Sequence, residues 1–124
     1  MISKELLSEV LKKSSRGIVS EVYEFGSNPN FNQDTVLFSV NGNGDLLNIN
    51  IHILAHKCKE WGVAQQLKHN FHISVATHKG TEYSATIAYW SDQLKNESFR
   101  ASSEPEAIFK ACEWILNNKQ AVND

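Results

Sequence analysis

Apolar positions along this chain recur in helical spacing in some stretches and in strict alternation in others. Leu6, Leu7, Val10 and Leu11 share one arc, with Lys4, Glu5, Ser8, Glu9 and Lys12 opposite, which predicts an amphipathic helix over 4–13 with Ser3 as its N-cap. Residues 18–25 are β-rich, with Val19, Tyr23 and Phe25 on one side and Ser20 and Glu24 on the other. The segment 26–34 is a loop by composition. Strands over 35–40 and 46–49 flank Asn41-Gly42-Asn43-Gly44-Asp45, whose Asn-Gly and Gly-Asp steps tolerate positive φ and so predict a hairpin. Asn50 then caps a helix over 51–67, whose core arc of Ile51, Leu54, Ala55, Cys58, Trp61 and Gly62 is about 120° wide.

A second hairpin follows over 71–77 and 82–90, around His78-Lys79-Gly80-Thr81. Phe71, Ile73, Val75, Tyr83, Ala85, Ile87 and Tyr89 alternate with a small, polar set: His72, Ser74, Ala76, Ser84, Thr86 and Ala88. A short strand is predicted over 97–101. Ser103 and Glu106 form a capping box around Pro105 and open a last helix to about 118. Its apolar arc is Ile108, Phe109, Ala111, Cys112, Ile115 and Leu116, with Trp114 about 60° outside it beside Ala107. Two helices thus carry nearly the same motif, Lys57-Cys58-Lys59-Glu60-Trp61 and Lys110-Ala111-Cys112-Glu113-Trp114. The expected fold is α+β: an antiparallel sheet of four to six strands with two to three amphipathic helices packed mainly on one face. The first helix is the candidate cover for the small-residue face.

Composition narrows the class without changing that picture. A chain of 124 residues is one domain by length, 1–124, with 1–45 leading into a helix–strands–helix unit over 46–118. Apolar residues at 41% and charged residues at 21% are those of a soluble globular protein. No run approaches the roughly 18 apolar residues of a membrane span, and no apolar secretory segment opens the chain. Cys58 and Cys112, each on a buried arc, read as small core residues in a reducing compartment. A cytoplasmic monomer or homodimer without membrane association is expected.

The net charge of −2 excludes an obvious nucleic-acid binder or a polyanionic mimic. Its distribution is uneven. Residues 17–56 carry Glu21, Glu24, Asp34 and Asp45 and no Lys or Arg, whereas 57–80 carry Lys57, Lys59, Lys68 and Lys79 against Glu60 alone. Every histidine falls between His52 and His78. Such asymmetry can orient a partner.

His52 and His56 stand one helical turn apart, a metal-compatible spacing that Glu60 extends by another turn. It is not a zincin motif, because Ile53 occupies the place of the general-base Glu. The helical wheel puts His52, His56 and Glu60 on a solvent face without a third ligand or a cleft, so an exposed His pair is the simpler reading and no metal is assigned. Mid-helix Cys58 and Cys112 suit inert packing better than nucleophilic catalysis. No G-x-S-x-G elbow or phosphate loop is present. No catalytic residue and no cofactor is expected. Trp114, half outside its arc, is a candidate contact residue beside the simpler reading that it covers a sheet edge.

The stretches Asn48-Ile49-Asn50-Ile51-His52-Ile53-Leu54-Ala55-His56-Lys57-Cys58-Lys59-Glu60-Trp61 and Ser103-Glu104-Pro105-Glu106-Ala107-Ile108-Phe109-Lys110-Ala111-Cys112-Glu113-Trp114-Ile115-Leu116 resemble small phage- and prophage-encoded proteins with a helix–strands–helix unit of the ABA-sandwich type. The resemblance covers about 46–118 and carries over no catalytic residue. It implies a non-catalytic accessory protein that binds a host or phage protein, with inhibition of a host defence system such as CRISPR–Cas as one form of that role. The residues expected to bind the partner are His52, His56, Glu60, Trp114, Lys57 and Lys59. Two alternatives stay open. One is a metal-binding enzyme or regulator using His52 and His56 with His72 and His78. The other is a weak nucleic-acid module using Lys57, Lys59, Lys68, Lys79 and His69.

Overall fold

Local hydrogen-bonding signals start each helix where the sequence places them. The computed structural model describes residues 2–11, 19–23, 35–42, 47–65, 72–78, 82–90 and 93–123. Helix α1 (Lys4–Leu11) begins at Ser3, whose Oγ accepts the Leu6 N–H at 3.1 Å. Its buried residues are Leu6, Leu7 and Leu11. Strand β1 (Val19–Tyr23) follows, tied back to α1 by the Val19 N–H donating to Ser8 Oγ at 2.9 Å.

Strands β1, β2 (Thr35–Val40) and β3 (Leu47–Asn50) form an antiparallel meander, sheet A, with β2 in the centre. The expected hairpin closes β2 through Asn41 at φ 54° and Gly42 at φ 72°, the left-handed pair that an Asn-Gly step accommodates. Val36, Phe38 and Val40 face the core, the first two in register with Ile49 and Leu47 of β3 and the third with Val19 of β1. A register irregularity between Val19 and Glu21 changes the expected alternation of β1. Val19 and Val22 both pack on the core and Tyr23 turns outward, 41% exposed, where strict alternation would have put Tyr23 with Val19. Ser20 sits at that irregularity, and its hydroxyl contacts the buried Ser39 at both carbonyl and Oγ, 3.2 and 3.1 Å. It also accepts the Gly42 N–H at 3.2 Å.

Asn50 ends β3 and caps α2 (Ile51–Ala64), its side chain accepting the N–H groups of His52 and Ile53 at 2.8 and 3.2 Å. The helix closes at Gln65, short of the expected residue 67, which lies outside the described residues. Strands β4 (His72–His78), β5 (Glu82–Trp90) and β6 (Leu94–Ala101) form a second antiparallel meander, sheet B, and β6 starts earlier than predicted. Helix α3 (Glu104–Asn123) begins at Ser103, which accepts the Glu106 N–H at 3.4 Å as the capping box requires. Pro105 falls in the first turn, where its missing N–H costs nothing. The helix outruns its expected end at 118.

The fold is α+β with antiparallel strands and helices packed on them, but the single sheet of four to six strands is corrected, among the described residues, to two separate three-stranded sheets. The reason lies in α3. Its residues Ile108, Phe109 and Cys112 join the first core, with α1, α2 and sheet A, while Ala107, Ala111 and Ile115 join a second core with Ala85 and Ile87 of sheet B. From Trp114 round to Phe109 the buried arc of α3 spans about 220° at about 100° per residue, too wide for one sheet to cover. Trp61 of α2 touches both cores.

The role expected for the first helix is also corrected. Ile2, Leu6, Leu7 and Leu11 are sealed into the first core, so α1 does not lie on the small-residue face of sheet B. Glu113 of α3 holds it there, accepting both the Ser3 N–H, at 3.1 Å, and the Ser3 hydroxyl, at 2.7 Å. A carboxylate at a helix N-terminus satisfies otherwise orphaned donors and meets the positive end of the helix dipole. On the other face of sheet B, Ser84 is buried and Thr86 and Ala88 are half-buried. On that face Thr86 and Ser98 pair directly across β5 and β6, with their hydroxyls 3.0 Å apart.

Candidate interaction surface

The Asn50 cap fixes where α2 starts, and Leu54, Ala55, Cys58 and Gly62 fix which side of it is buried. The opposite side then follows from helical geometry. His52, Ile53, His56, Glu60, Val63 and Ala64 are all exposed on it, and Lys57 and Lys59 flank it, half-buried. At about 100° per residue this face, lysine to lysine, is about 160° wide. Among the described residues the exposed large hydrophobics are Tyr23, Ile53 at 55% and Val63 at 48%, so two of them share this one face.

His56 and Glu60 form an i,i+4 pair, with Nε2 2.9 Å from Oε1 and side chains 74% and 69% exposed. Such a pair holds the imidazole on the ridge but contributes little to stability, because water screens it. Acid–base catalysis would need a cleft to exclude water around it, and the exposure of both side chains argues against that use. Among the described residues, no group of three or more His, Cys, Asp or Glu is placed to hold a metal ion. His72 and His78 open and close β4, about 20 Å apart along an extended strand, so both cannot meet the His52–His56 pair at one ion. Lys68, His69 and Lys79, the rest of the basic segment, lie outside the described residues.

The structure therefore gathers His52, His56, Glu60, Lys57 and Lys59 on one helix and leaves Trp114 elsewhere. Trp114 is half-buried against Ala107, Ala111 and Ile115 in the core beneath sheet B. Ile53 and Val63 were passed over in the sequence, although the same wheel that found the core arc places both outside it. Glu113 left no such signal, since its partner Ser3 stands 110 positions away.

No protein-family model, curated protein or solved structure matches the chain. The same is true of membrane insertion at the level of helices: among the described residues no helix is long and apolar enough to cross a bilayer.

The two cysteines lie on the side of the helices away from this face. Both are fully buried and unpaired by any disulfide. The Cys112 thiol donates to the Cys58 carbonyl at 3.3 Å. A hydrogen bond to Cys112, then burial, then repulsion from Cys112 and Glu113 hold the Cys58 thiol far above its ordinary range. A thiol so placed is a poor nucleophile, in keeping with a packing role for Cys58 in the reduced fold.

Proposed function

We propose that the chain is a non-catalytic protein-binding domain that presents the exposed face of α2 to a partner protein. The observation that supports this reading is the pair Ile53 and Val63, held in water on a helix whose other side is fully committed to the core. Burying one such side chain is worth roughly 1.5–3 kcal/mol, so the pair supplies a modest apolar anchor. His52 and His56 add imidazole hydrogen-bonding groups beside them, and Lys57 and Lys59 form a basic rim. That combination fits a partner with an apolar groove edged by Asp or Glu side chains. A helix of this length presents a strip about 20 Å long, at the small, transient end of protein interfaces.

The resemblance of residues 46–118 to phage-encoded accessory proteins suggests the class of partner: a host or phage protein, with a component of a host defence complex as one such target. Affinity capture from host lysate with the intact chain, followed by the same capture with Ile53→Glu/Val63→Glu, tests the reading. A stoichiometric partner retained by the parent and lost by the variant, at unchanged melting temperature, is the expected result. A partner bound equally by both, or none at all, removes the α2 face from consideration.

A further inference from the structure

The thiols of Cys58 and Cys112 come from different helices, and they meet at the seam where α2 and α3 cross. Three features of that seam favour close approach. Cys112 Sγ reaches the backbone carbonyl of Cys58 at 3.3 Å, so the side chain of one cysteine touches the main chain of the other. Ala55 and Gly62, about one turn before and after Cys58 on α2, are buried small residues that let a neighbouring helix backbone draw close. Both sulfurs are completely excluded from solvent, with 0% exposure at each residue.

We propose that Cys58 and Cys112 form a disulfide-competent pair that locks α2 to α3 when the chain folds under oxidising conditions, and that stays reduced once the fold has closed around the thiols. The chemistry needs a disulfide oxidant, for which glutathione disulfide suffices. One cysteine thiolate attacks it, forming a mixed disulfide and releasing one glutathione thiolate. The second cysteine thiolate then displaces the second glutathione. In the net reaction one S–S bond is broken and one formed, and the two protons lost by the protein are taken up by the two released glutathione thiolates.

Burial decides the timing. In the closed fold the oxidant cannot reach either sulfur, and the Cys58 thiol resists deprotonation, so exchange proceeds only through opening of the α2–α3 seam or before it forms. The redox state present during folding is thereby retained afterwards. Because the link spans residues 58 to 112, it closes a long loop of the unfolded chain, the case in which a cross-link restricts that chain most. This inference stands on the seam geometry and is independent of what α2 binds.

The test is refolding of the full-length chain from denaturant in glutathione buffer poised either oxidised or reduced. Oxidised refolding is expected to give a monomer lighter by two hydrogens, with a peptide joining Cys58 to Cys112. It should show a native circular dichroism spectrum and a melting temperature higher by roughly 5–15 °C. Already folded, reduced protein should react with a thiol reagent only at its own opening rate, and Cys112→Ser should yield no cross-linked monomer. Three results would overturn the proposal. They are glutathione adducts or intermolecular dimers in place of the internal link, a cross-linked form with a lower melting temperature, and rapid labelling of the native thiols.

Discussion

On α2 two residues separate cysteine from tryptophan, Cys58 to Trp61, and on α3 one does, Cys112 to Trp114. At about 100° per residue that difference turns the second indole by about 100° relative to its cysteine. Trp61 therefore stays near the side of Cys58 and touches both cores, whereas Trp114 swings round to the core beneath sheet B. The glutamates part company as well. Glu60 faces water and pairs with His56, while Glu113 turns inward and caps Ser3 of α1. Only the cysteines keep a common role, meeting at the seam. The comparison teaches that a repeated motif on two helices conveys a shared contact only for the residues that face each other. For the others, one residue of spacing assigns a different neighbour, and the neighbour assigns the role.

Substitutions can break this comparison at several strengths. The largest effect is expected at Phe109, 1% exposed and among the largest fully buried side chains, where α3 reaches the first core. Phe109→Ala should cost about 3–5 kcal/mol in denaturant titration, because transfer and cavity terms add. A loss below about 1 kcal/mol would mean that α3 does not join the two cores as described. Next comes Glu113→Ala, which removes an acceptor shared by two Ser3 donors and should cost about 1–3 kcal/mol. Hydrogen exchange should then show α1 opening more easily while sheet B stays protected.

The buried thiol supplies a pH test of intermediate size. Cys58 has a folded-state pKa raised above its ordinary 9.0, so the unfolded chain loses this proton first as pH rises. Its contribution to stability is complete below about pH 9 and falls above it, by at most about 1.4 kcal/mol per pH unit. Parent minus Cys58→Ala, measured from pH 7 to 10.5, isolates that slope from the titration of lysine and tyrosine. A flat difference would place the thiol in water.

Two smaller effects complete the series. Asn50→Ala deletes the cap that turns β3 into α2 and should cost about 1 kcal/mol. Glu60→Ala, the counterpart of Glu113→Ala on the solvent side, should cost under about 0.5 kcal/mol. Equal losses at Glu60 and Glu113 would erase the distinction between the two helices.

Much of the scaffold was legible before any coordinates. Ser3, Asn50 and Ser103 announced the three helix starts because capping is a local hydrogen bond between neighbours in sequence. Asn41-Gly42 announced its turn because positive φ is a property of the residues themselves. His52, His56 and Glu60 were placed on a solvent face by spacing alone, and they lie there. Helix ends were read less well, because fraying and the first residues beyond a helix decide them.

What the chain could not disclose on its own is relational. Alternation in β1 predicted Tyr23 beside Val19, but a bulge answered to its pairing with β2, and pairing is a contact between distant segments. Periodicity showed that α3 has an apolar arc without showing that sheet A and sheet B would divide it. Nor could any local signal join Ser3 to Glu113, or set Cys112 against the carbonyl of Cys58. The sequence by itself determined the elements, their caps and their apolar faces, since those depend on backbone propensity and side-chain spacing within a few residues. Tertiary structure alone decided that the described strands split into two sheets, and that one glutamate of a repeated pair caps a helix while the other faces water. Each of those outcomes follows from which surfaces remain to be buried once the others have found their partners.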